Sequence, residues 1–293
     1  MKLNEINIRD PFILPHDGKY YLYGSRVGLP VGNLFNGLQN GFEVYESQDL
    51  ENWSEGKTVF EANESFWGKY QFWAPEVHMY KNKFYMFASF KADGRCRGTH
   101  ILVCDTPNGT FTPISKVQQT PVDWECLDGT FYVDKQGRPH IVFCHEWVQI
   151  EDGEVCDAIL SDDLTHIVGE PKTLWKASDY KGVVTVMPGK KAFVTDGPYL
   201  YRCKNGELIC MWSTYTEKGY AELISRSDNG DIDGNWTLSD IPMSNCDGGH
   251  GMTFNTFDGR AYFTMHKPNA PATAERPVIL PFEENGSQLI LSE

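Results

Sequence analysis

Apolar and polar residues alternate along most of the chain, and short polar turns interrupt the alternating runs. Alternation of this kind predicts β-strands with one buried face. Five segments share one arrangement, in which an acidic or histidine-bearing start leads into an alternating strand, a Gly or Asn turn and an aromatic-rich strand. They are RDPFILPHDGKYYLYGS, WAPEVHMYKNKFYMFAS, LDGTFYVDKQGRPHIVFCHEW, TDGPYLYRCKNGELICMWST and GGHGMTFNTFDGRAYFTMHKPN. Each segment predicts a β-hairpin.

The five segments recur at a nearly regular spacing, since they start at Arg9, Trp73, Leu127, Thr195 and Gly248. A second, weaker hairpin follows each of them, and two hairpins make one four-stranded blade. The sequence therefore predicts an all-β fold, a five-bladed β-propeller that occupies residues 1–293 as a single domain. Two stacked sandwiches would explain the strands but not the repeat.

One stretch of the first repeat lacks alternation and is dense in Gly and Asn. It runs over residues 26–41 and reads RVGLPVGNLFNGLQNG. An irregular segment of this length inside a regular fold predicts a functional loop over one face.

Charge and composition narrow the choice of partner. The net charge is −14, whereas nucleic-acid binding needs clustered Lys and Arg, so we expect no nucleic-acid partner. No apolar run is long enough to span a membrane or to form the core of a signal peptide. The eight Cys are scattered and form no CxxC pair, which predicts reduced thiols and a cytoplasmic protein. Oligomeric state is left open.

The starts of the five hairpins carry the candidate chemistry. In a propeller the first strand of each blade lines the central channel, so Asp10, Glu76, Asp128, Asp196 and His250 are expected to converge. Taken singly, each acid has a structural explanation, because Asp before Pro or Gly often begins a turn. Recurrence in several blades favours function, since clustered carboxylates raise one another's pKa and are costly for stability.

The segments RDPFILPHDGKYYLYGS, WAPEVHMYKNKFYMFAS and LDGTFYVD resemble the first three blade motifs of glycoside hydrolase family 43, and the similarity extends over all five blades. This family comprises β-xylosidases, α-L-arabinofuranosidases and arabinanases. The resemblance implies a catalytic domain that acts by inverting hydrolysis on arabinose- or xylose-containing oligosaccharides of the plant cell wall. It also implies a base at Asp10 and a carboxylate at Asp128 that keeps the neighbouring acid protonated.

The position of the general acid departs from the family pattern, because the family carries Glu where this chain reads TDGP. Asp196 is the first choice for the acid. Glu146, at the end of the third hairpin, is the alternative acid because its side chain is longer. Glu125 ranks third, since it lies three residues from Asp128 and an odd offset in a strand points to the opposite face.

His250, in GGHGM, matches a family histidine that helps to hold a hydrated cation in the channel. The resemblance thus implies one structural cation, calcium, beside His250. A tight-turn role for a His between glycines is the alternative. The segment SDNGDIDGNW lacks the closing Glu of a calcium loop and is interpreted as a blade turn.

Several residues near the second blade's entrance are candidates for substrate binding. Phe72, Trp73 and Trp67 offer aromatic faces for a sugar ring, although core packing is the alternative for any aromatic in a propeller. Glu76 is expected to bind sugar hydroxyls, and His78 lies on the same strand face. Arg9, next to the base, is also assigned to substrate binding.

Two rival functions remain open. A fructan-active or phosphorolytic propeller enzyme is disfavoured, because the chain lacks an NDPNG start and has too few Arg for a phosphate pocket. A non-catalytic sugar-binding propeller would explain Asp in place of Glu at the acid position. Both acids implied at Asp10 and Asp128 are intact, which favours the enzyme.

Overall fold

The computed structural model describes residues 1–26 and 40–292, and β-strands dominate it. The strands are β1 (Ile8–His16), β2 (Lys19–Arg26), β3 (Gly41–Ser47), β4 (Lys57–Glu61), β5 (Tyr70–Tyr80), β6 (Lys83–Ala92), β7 (Arg95–Cys104), β8 (Thr112–Pro113), β9 (Cys126–Val133), β10 (Pro139–His145), β11 (Glu154–Leu160), β12 (Ile167–Lys176), β13 (Asp196–Arg202), β14 (Leu208–Thr216), β15 (Gly219–Ser227), β16 (Trp236–Leu238), β17 (Gly249–Asn255), β18 (Ala261–Lys267), β19 (Arg276–Asn285) and β20 (Gln288–Leu291). The helical segments are α1 (Trp147–Ile150) and the 3₁₀ turns Leu3–Glu5, Ala177–Asp179 and Ala272–Ala274. The loop predicted over residues 26–41 falls mainly on residues 27–39, which lie outside the described residues.

The strands form five antiparallel sheets, and each sheet contains four consecutive strands in sequence order. The first strands of the sheets, which are β1, β5, β9, β13 and β17, contact one another in a ring. Both hairpins predicted for each repeat are present in every sheet. The predicted five-bladed β-propeller is therefore confirmed.

Aromatic side chains fill the space between the first two blades. Phe42, Phe60, Phe72 and Phe90 are all buried, with ring centroids 5.0–6.3 Å apart. Phe72 is 1% exposed and its ring meets that of Phe90 edge to face. The assignment of Phe72 to a sugar-stacking surface is wrong, because burial in this apolar core stabilises the fold and leaves no face for a ligand.

The ring closes between the fifth blade and the first by side-chain packing. Met252 and Phe254 of β17 belong to the same buried cluster as Phe12 of β1. The side chain of Asn7 donates a hydrogen bond of 2.7 Å to the carbonyl oxygen of Glu275. Residues from the two ends of the sequence thus meet beside the channel.

Within the described ranges, no helix reaches the length and apolarity needed to cross a membrane. The eight cysteines are free thiols, and most of them are buried. Packing of the strands, without any disulfide, therefore holds the blades together.

Candidate active site

Each inner strand contains a residue in the left-handed region near its start, and β5 contains a second one, Gln71 (φ 54°). The others are Asp10 (φ 52°), Ala74 (φ 45°), Asp128 (φ 55°), Gly197 (φ 52°) and His250 (φ 53°). At each of them the pairing with the second strand of the blade shifts, as in a β-bulge. A left-handed residue other than Gly costs about 1 kcal/mol, and such strain is typical of functional sites.

The bulges show that the five candidate residues at the hairpin starts do not occupy equivalent positions in their blades, although their recurrence suggested that they would. Asp10, Asp128 and His250 hold the left-handed position itself. Asp196 comes one residue before Gly197, and Glu76 comes two residues after Ala74. The equivalence expected from the sequence is therefore wrong for Asp196 and Glu76.

Asp10 is 6% exposed and lies at the centre of a dense set of partners. Its Oδ2 accepts a hydrogen bond of 2.7 Å from Ser25 Oγ, and its Oδ1 accepts one of 3.2 Å from Arg9 Nε. Nδ1 of His250 is also 3.2 Å from Oδ1. Burial acts to raise the pKa of Asp10, but the interactions with His250 and Arg9 outweigh it and hold the pKa well below its usual value.

Asp128 is equally buried, at 6% exposed, and has few compensating charges. Its Oδ2 accepts a hydrogen bond of 3.0 Å from the backbone N–H of Gly197 and lies 3.7 Å from His250 Nδ1. Burial, followed by the charge of Asp10, raises the pKa of Asp128 well above its usual value. The environment thus separates two acids of identical chemistry.

Asp196 is half-buried, so part of it stays open to solvent. Its Oδ2 accepts a hydrogen bond of 2.9 Å from the hydroxyl of Tyr220. Burial, and then the charge of Asp128, raises the pKa of Asp196 to about 7. A carboxyl group that keeps its proton near neutral pH is suited to be a general acid.

Gly197 has to be a glycine because His250 packs against it. A Cβ at Gly197 would lie 2.6 Å from two ring carbons of His250, and its φ of 52° disfavours other residues. The Asp-Gly pair at this position therefore brings Asp196, the N–H bound to Asp128, and His250 into one site.

The described residues around His250 supply no cage of protein ligands for calcium, so the hydrated cation that the resemblance implies would keep water ligands. Calcium takes six to eight oxygen ligands. Nδ1 of His250 instead faces the carboxylates of Asp10 and Asp128. Among the residues that the structure describes, no group of three or more His, Cys, Asp or Glu is arranged to hold a metal. Calcium beside His250 stays a prediction, and no catalytic step below depends on it.

Arg9 points away from solvent into a network of the fifth blade. It donates hydrogen bonds of 3.3 Å to Glu275 and to Asn269 Oδ1, in addition to its contact with Asp10. Asp10 N–H donates to Nδ1 of His266 at 3.2 Å, and Nε2 of His266 is 3.0 Å from Asn269 Oδ1. This geometry makes Arg9 an anchor for the Asp10 carboxylate.

The site also contains five residues that the sequence did not predict, which are His266, Asn269, Glu275, Ser25 and Tyr220. His266 and Asn269 lie in the quoted MHKPN at the end of the fifth hairpin, and Ser25 ends the first hairpin. Their position at hairpin ends, on the same face as the hairpin starts, was a usable signal. No such signal was present for the other two residues. Tyr220 belongs to the second hairpin of the fourth blade, and Glu275 lies in a loop.

Glu76 and His78 form a separate pair in the channel wall. Oε2 of Glu76 lies 2.8 Å from His78 Nε2 and accepts a hydrogen bond of 2.6 Å from Thr130 Oγ1. The His78 ring packs against Phe12 with centroids 5.0 Å apart. Among the contacts of the described ranges, none joins this pair to the Asp10, Asp128 and Asp196 cluster.

Trp73, which immediately precedes the bulge of the second blade, carries a cation on its ring. The guanidinium of Arg97 lies 4.5 Å from the ring centroid and also donates a hydrogen bond of 2.7 Å to Gln71. Trp73 is half-buried. Substrate binding by Trp73 stays a prediction.

The alternative acids are both committed to ion pairs. Glu146, 5% exposed, forms a salt bridge with Arg97. Glu125 pairs with Lys91 and accepts a hydrogen bond of 2.8 Å from the backbone N–H of Arg97. Burial raises the pKa of Glu146 although Arg97 acts to lower it, whereas Lys91 and the N–H of Arg97 outweigh burial and lower the pKa of Glu125. Both carboxylates are paired with a cation, and none of the ion pairs among the described residues includes Asp196, so the geometry favours Asp196 as the acid.

The chain matches a known protein family and a solved structure over nearly its whole length. The family model described as Glycosyl hydrolases family 43 matches residues 4–285. A crystal structure of an endo-arabinase from Bacteroides thetaiotaomicron VPI-5482 is 38% identical, with a TM-score of 0.88 and 97% of each chain covered.

Two curated relatives are more distant. The extracellular endo-alpha-(1->5)-L-arabinanase 1 of Bacillus subtilis (strain 168) is 24% identical over 158 residues, which cover 50% of this chain. The extracellular exo-alpha-(1->5)-L-arabinofuranosidase ArbA of Cellvibrio japonicus (strain Ueda107) is 23% identical over 180 residues, 55% of this chain. The matched region spans 46% of the length of each relative.

Proposed function

The chain belongs to the glycosyl hydrolases of family 43, and from this premise we propose that it hydrolyses glycosidic bonds of arabinose- or xylose-containing oligosaccharides with inversion at the anomeric carbon. Linkages of the α-(1→5)-L-arabinofuranosyl type are the first choice of substrate. They are favoured because the 38% identical structure is that of an endo-arabinase and both curated relatives are named for this linkage.

The observation that carries the proposal is the opposite shift of two carboxyl groups in one ring. The pKa of Asp10 is held well below its usual value by His250 and Arg9 against the effect of burial, whereas burial and Asp128 raise the pKa of Asp196 to about 7. Two carboxyl groups whose pKa values are pushed apart supply an ionised base and a protonated acid at the same pH.

In the proposed reaction, Asp10 accepts a proton from the water that attacks the anomeric carbon. The bond between that carbon and the leaving oxygen breaks, and Asp196 gives its proton to the leaving oxygen. The products are a free sugar of inverted configuration and a shortened alcohol, with Asp10 protonated and Asp196 ionised. Exchange with solvent restores both groups.

Asp128 acts on the acid and not on the substrate. Its charge is the second-largest influence, after burial, that raises the pKa of Asp196. The two groups are coupled, so their protons leave as a pair of steps. Burial raises the pKa of Asp128 as well, but in its ionised form Asp128 extends the pH range in which Asp196 still holds its proton.

Incubation with arabino- and xylo-oligosaccharides and with aryl arabinofuranosides and xylosides tests the proposal. NMR at early times should show the anomer inverted relative to the substrate. Reaction in aqueous methanol should yield no methyl glycoside, because an inverting enzyme forms no covalent glycosyl intermediate. Methyl glycoside formation would contradict inversion, and the absence of hydrolysis of every substrate would contradict the proposed function.

A further inference from the structure

Tyr220 lies on β15, outside the ring of inner strands, yet it reaches the acid. Its side chain is fully buried, and its hydroxyl donates a hydrogen bond of 2.9 Å to Oδ2 of Asp196. Neither the alternation of β15 nor any sequence motif assigns it a role. This hydrogen bond therefore links a residue outside the ring of inner strands to the proposed proton donor.

The ring of Tyr220 is clamped from several sides. It stacks on His266 with centroids 5.7 Å apart and an interplanar angle of 25°, and it packs on Tyr215 at 5.0 Å. A Cβ at Gly249 would lie 2.8 Å from its Cε1, so only glycine fits there. A ring held in this way presents its hydroxyl at one fixed place.

The direction of the hydrogen bond is set by the chemistry of the two groups. Burial, and then the charge of Asp196, raises the pKa of Tyr220 well above its usual value, so the phenol stays protonated and donates. Oδ2 of Asp196 is therefore the acceptor. A proton on Asp196 is then placed on Oδ1.

We propose that Tyr220 is a positioning residue for Asp196, which fixes Oδ2 so that Oδ1 delivers the proton to the leaving oxygen. The inference rests on the proposed function. Once the proton has left, the bond becomes an O–H to carboxylate bond, which is stronger than the bond to a neutral acid. Tyr220 thus stabilises Asp196 after proton transfer more than before it, which favours donation.

Other charged and titratable groups also interact with Asp196 and contribute to its electrostatic environment. They are Asp128 of β9, Arg9 of β1, His250 of β17, Tyr215 of β14 and Cys144 of β10. None of them changes when the hydroxyl of Tyr220 is removed. A conservative substitution at this position therefore isolates one hydrogen bond.

The experiment compares Tyr220→Phe with Tyr215→Phe over the full pH–rate profile. Loss of a hydrogen bond that favours the ionised acid should move the basic limb of Tyr220→Phe up by about one pH unit. The rate on an oligosaccharide should fall about tenfold, while cleavage of a dinitrophenyl glycoside, which needs no acid, is nearly retained. Tyr215→Phe is the matched control, since its hydroxyl bonds Asn269 instead, and its basic limb should not move.

A second variant is expected to move the basic limb of the pH–rate profile in the opposite direction. Difluorotyrosine at position 220 keeps the shape of the ring but has a more acidic hydroxyl, so it donates a stronger bond. The basic limb should then move to lower pH. An unmoved limb in both variants, or the same shift in Tyr215→Phe, would overturn the inference.

Titration of Asp196 by carboxyl NMR separates this inference from the proposed function. The pKa of Asp196 should rise in Tyr220→Phe whether or not a substrate has been found. An unchanged pKa in an active enzyme would contradict only the role of Tyr220. A raised pKa in a protein that cleaves no glycoside would uphold the hydrogen bond while the proposed function fails.

Discussion

Nδ1 of His250 lies 3.2 Å from Oδ1 of Asp10, so an imidazole from the fifth blade meets a carboxylate from the first. The contact joins the last blade to the first among the ionisable residues of the site. It also places beside Asp10 a group that can carry a positive charge, in addition to Arg9. The negative charge of the proposed base is thereby compensated without a bound cation.

Replacing Asp10 with Asn should abolish hydrolysis, with a fall in kcat of about a thousandfold, because no group is left to accept the proton of water. Asn adopts left-handed backbone readily, so the bulge should survive. Steady-state kinetics and a thermal melt measure both effects. Ser25→Ala is the control. It removes one hydrogen bond to Asp10 and the acceptor of the Ala74 N–H, and it should lose far less activity. Turnover near the unmodified rate in Asp10→Asn would show that another group is the base.

Replacing Asp128 with Asn should move the basic limb of the pH–rate profile to lower pH. The charge of Asp128 raises the pKa of Asp196, so its removal lowers that pKa and the acid loses its proton earlier. This shift is opposite in sign to the one expected for Tyr220→Phe. A profile lowered at all pH values without any displacement would contradict the tuning role.

Replacing Asp196 with Ala should stop hydrolysis of oligosaccharides while sparing substrates with a dinitrophenolate leaving group, which departs without a proton. The basic limb should disappear from the profile. Glu146→Ala should instead leave the limb in place, because Glu146 is bound to Arg97. Parallel kinetics on both substrate classes distinguish the two acids. The reverse pattern would assign the acid to Glu146.

Dialysis against a chelator should change neither the activity nor the melting temperature. The reason is that the described donor atoms near His250 face Asp10 and Asp128 and gather no set of metal ligands. Re-addition of calcium, with magnesium as the control, completes the measurement. Loss of activity that calcium alone restores would support the cation implied by the family resemblance.

A buried histidine far from the site should make stability depend on pH. Nδ1 of His140 lies 2.8 Å from Asp157 and Nε2 lies 3.2 Å from Asp134. Burial acts to lower the pKa of His140, but the bonds and charges of Asp157 and Asp134 outweigh it and raise the pKa above the usual value. The stabilising contribution is thus complete below the unfolded-state pKa and is lost as pH rises through the folded-state pKa.

Denaturant unfolding of the unmodified protein and of His140→Gln measures this contribution. The difference in the free energy of unfolding should be larger at about pH 5.5 than at about pH 9. His166→Gln, at a more exposed histidine, is the control and should show little difference at either pH. A difference that stays constant with pH would mean that His140 is neutral in the folded protein.

The sequence by itself was enough to predict the five blades and to identify Asp10 and Asp128 as candidate site residues. Alternation and hairpin turns are read between neighbours in sequence, which are also neighbours in a strand, so ten hairpins could be predicted locally. Asp10 and Asp128 were predicted for the same reason, since each sits in a short motif at a hairpin start. The left-handed conformation that both share also explains why Asp suits these positions.

Only the tertiary structure decided which side chains meet. In β5 the register shifts twice before Glu76, on either side of Trp73, and Glu76 contacts His78 and Thr130 rather than the acids. Phe72 became part of the core because neighbouring aromatic residues of two blades surround it. The contacts of Asp196 with Tyr220, and of Asp10 with His266, join strands that are remote in sequence. A local sequence pattern cannot predict such contacts. These atoms come within bonding distance only when the ring of blades closes, whatever the order of residues along one strand.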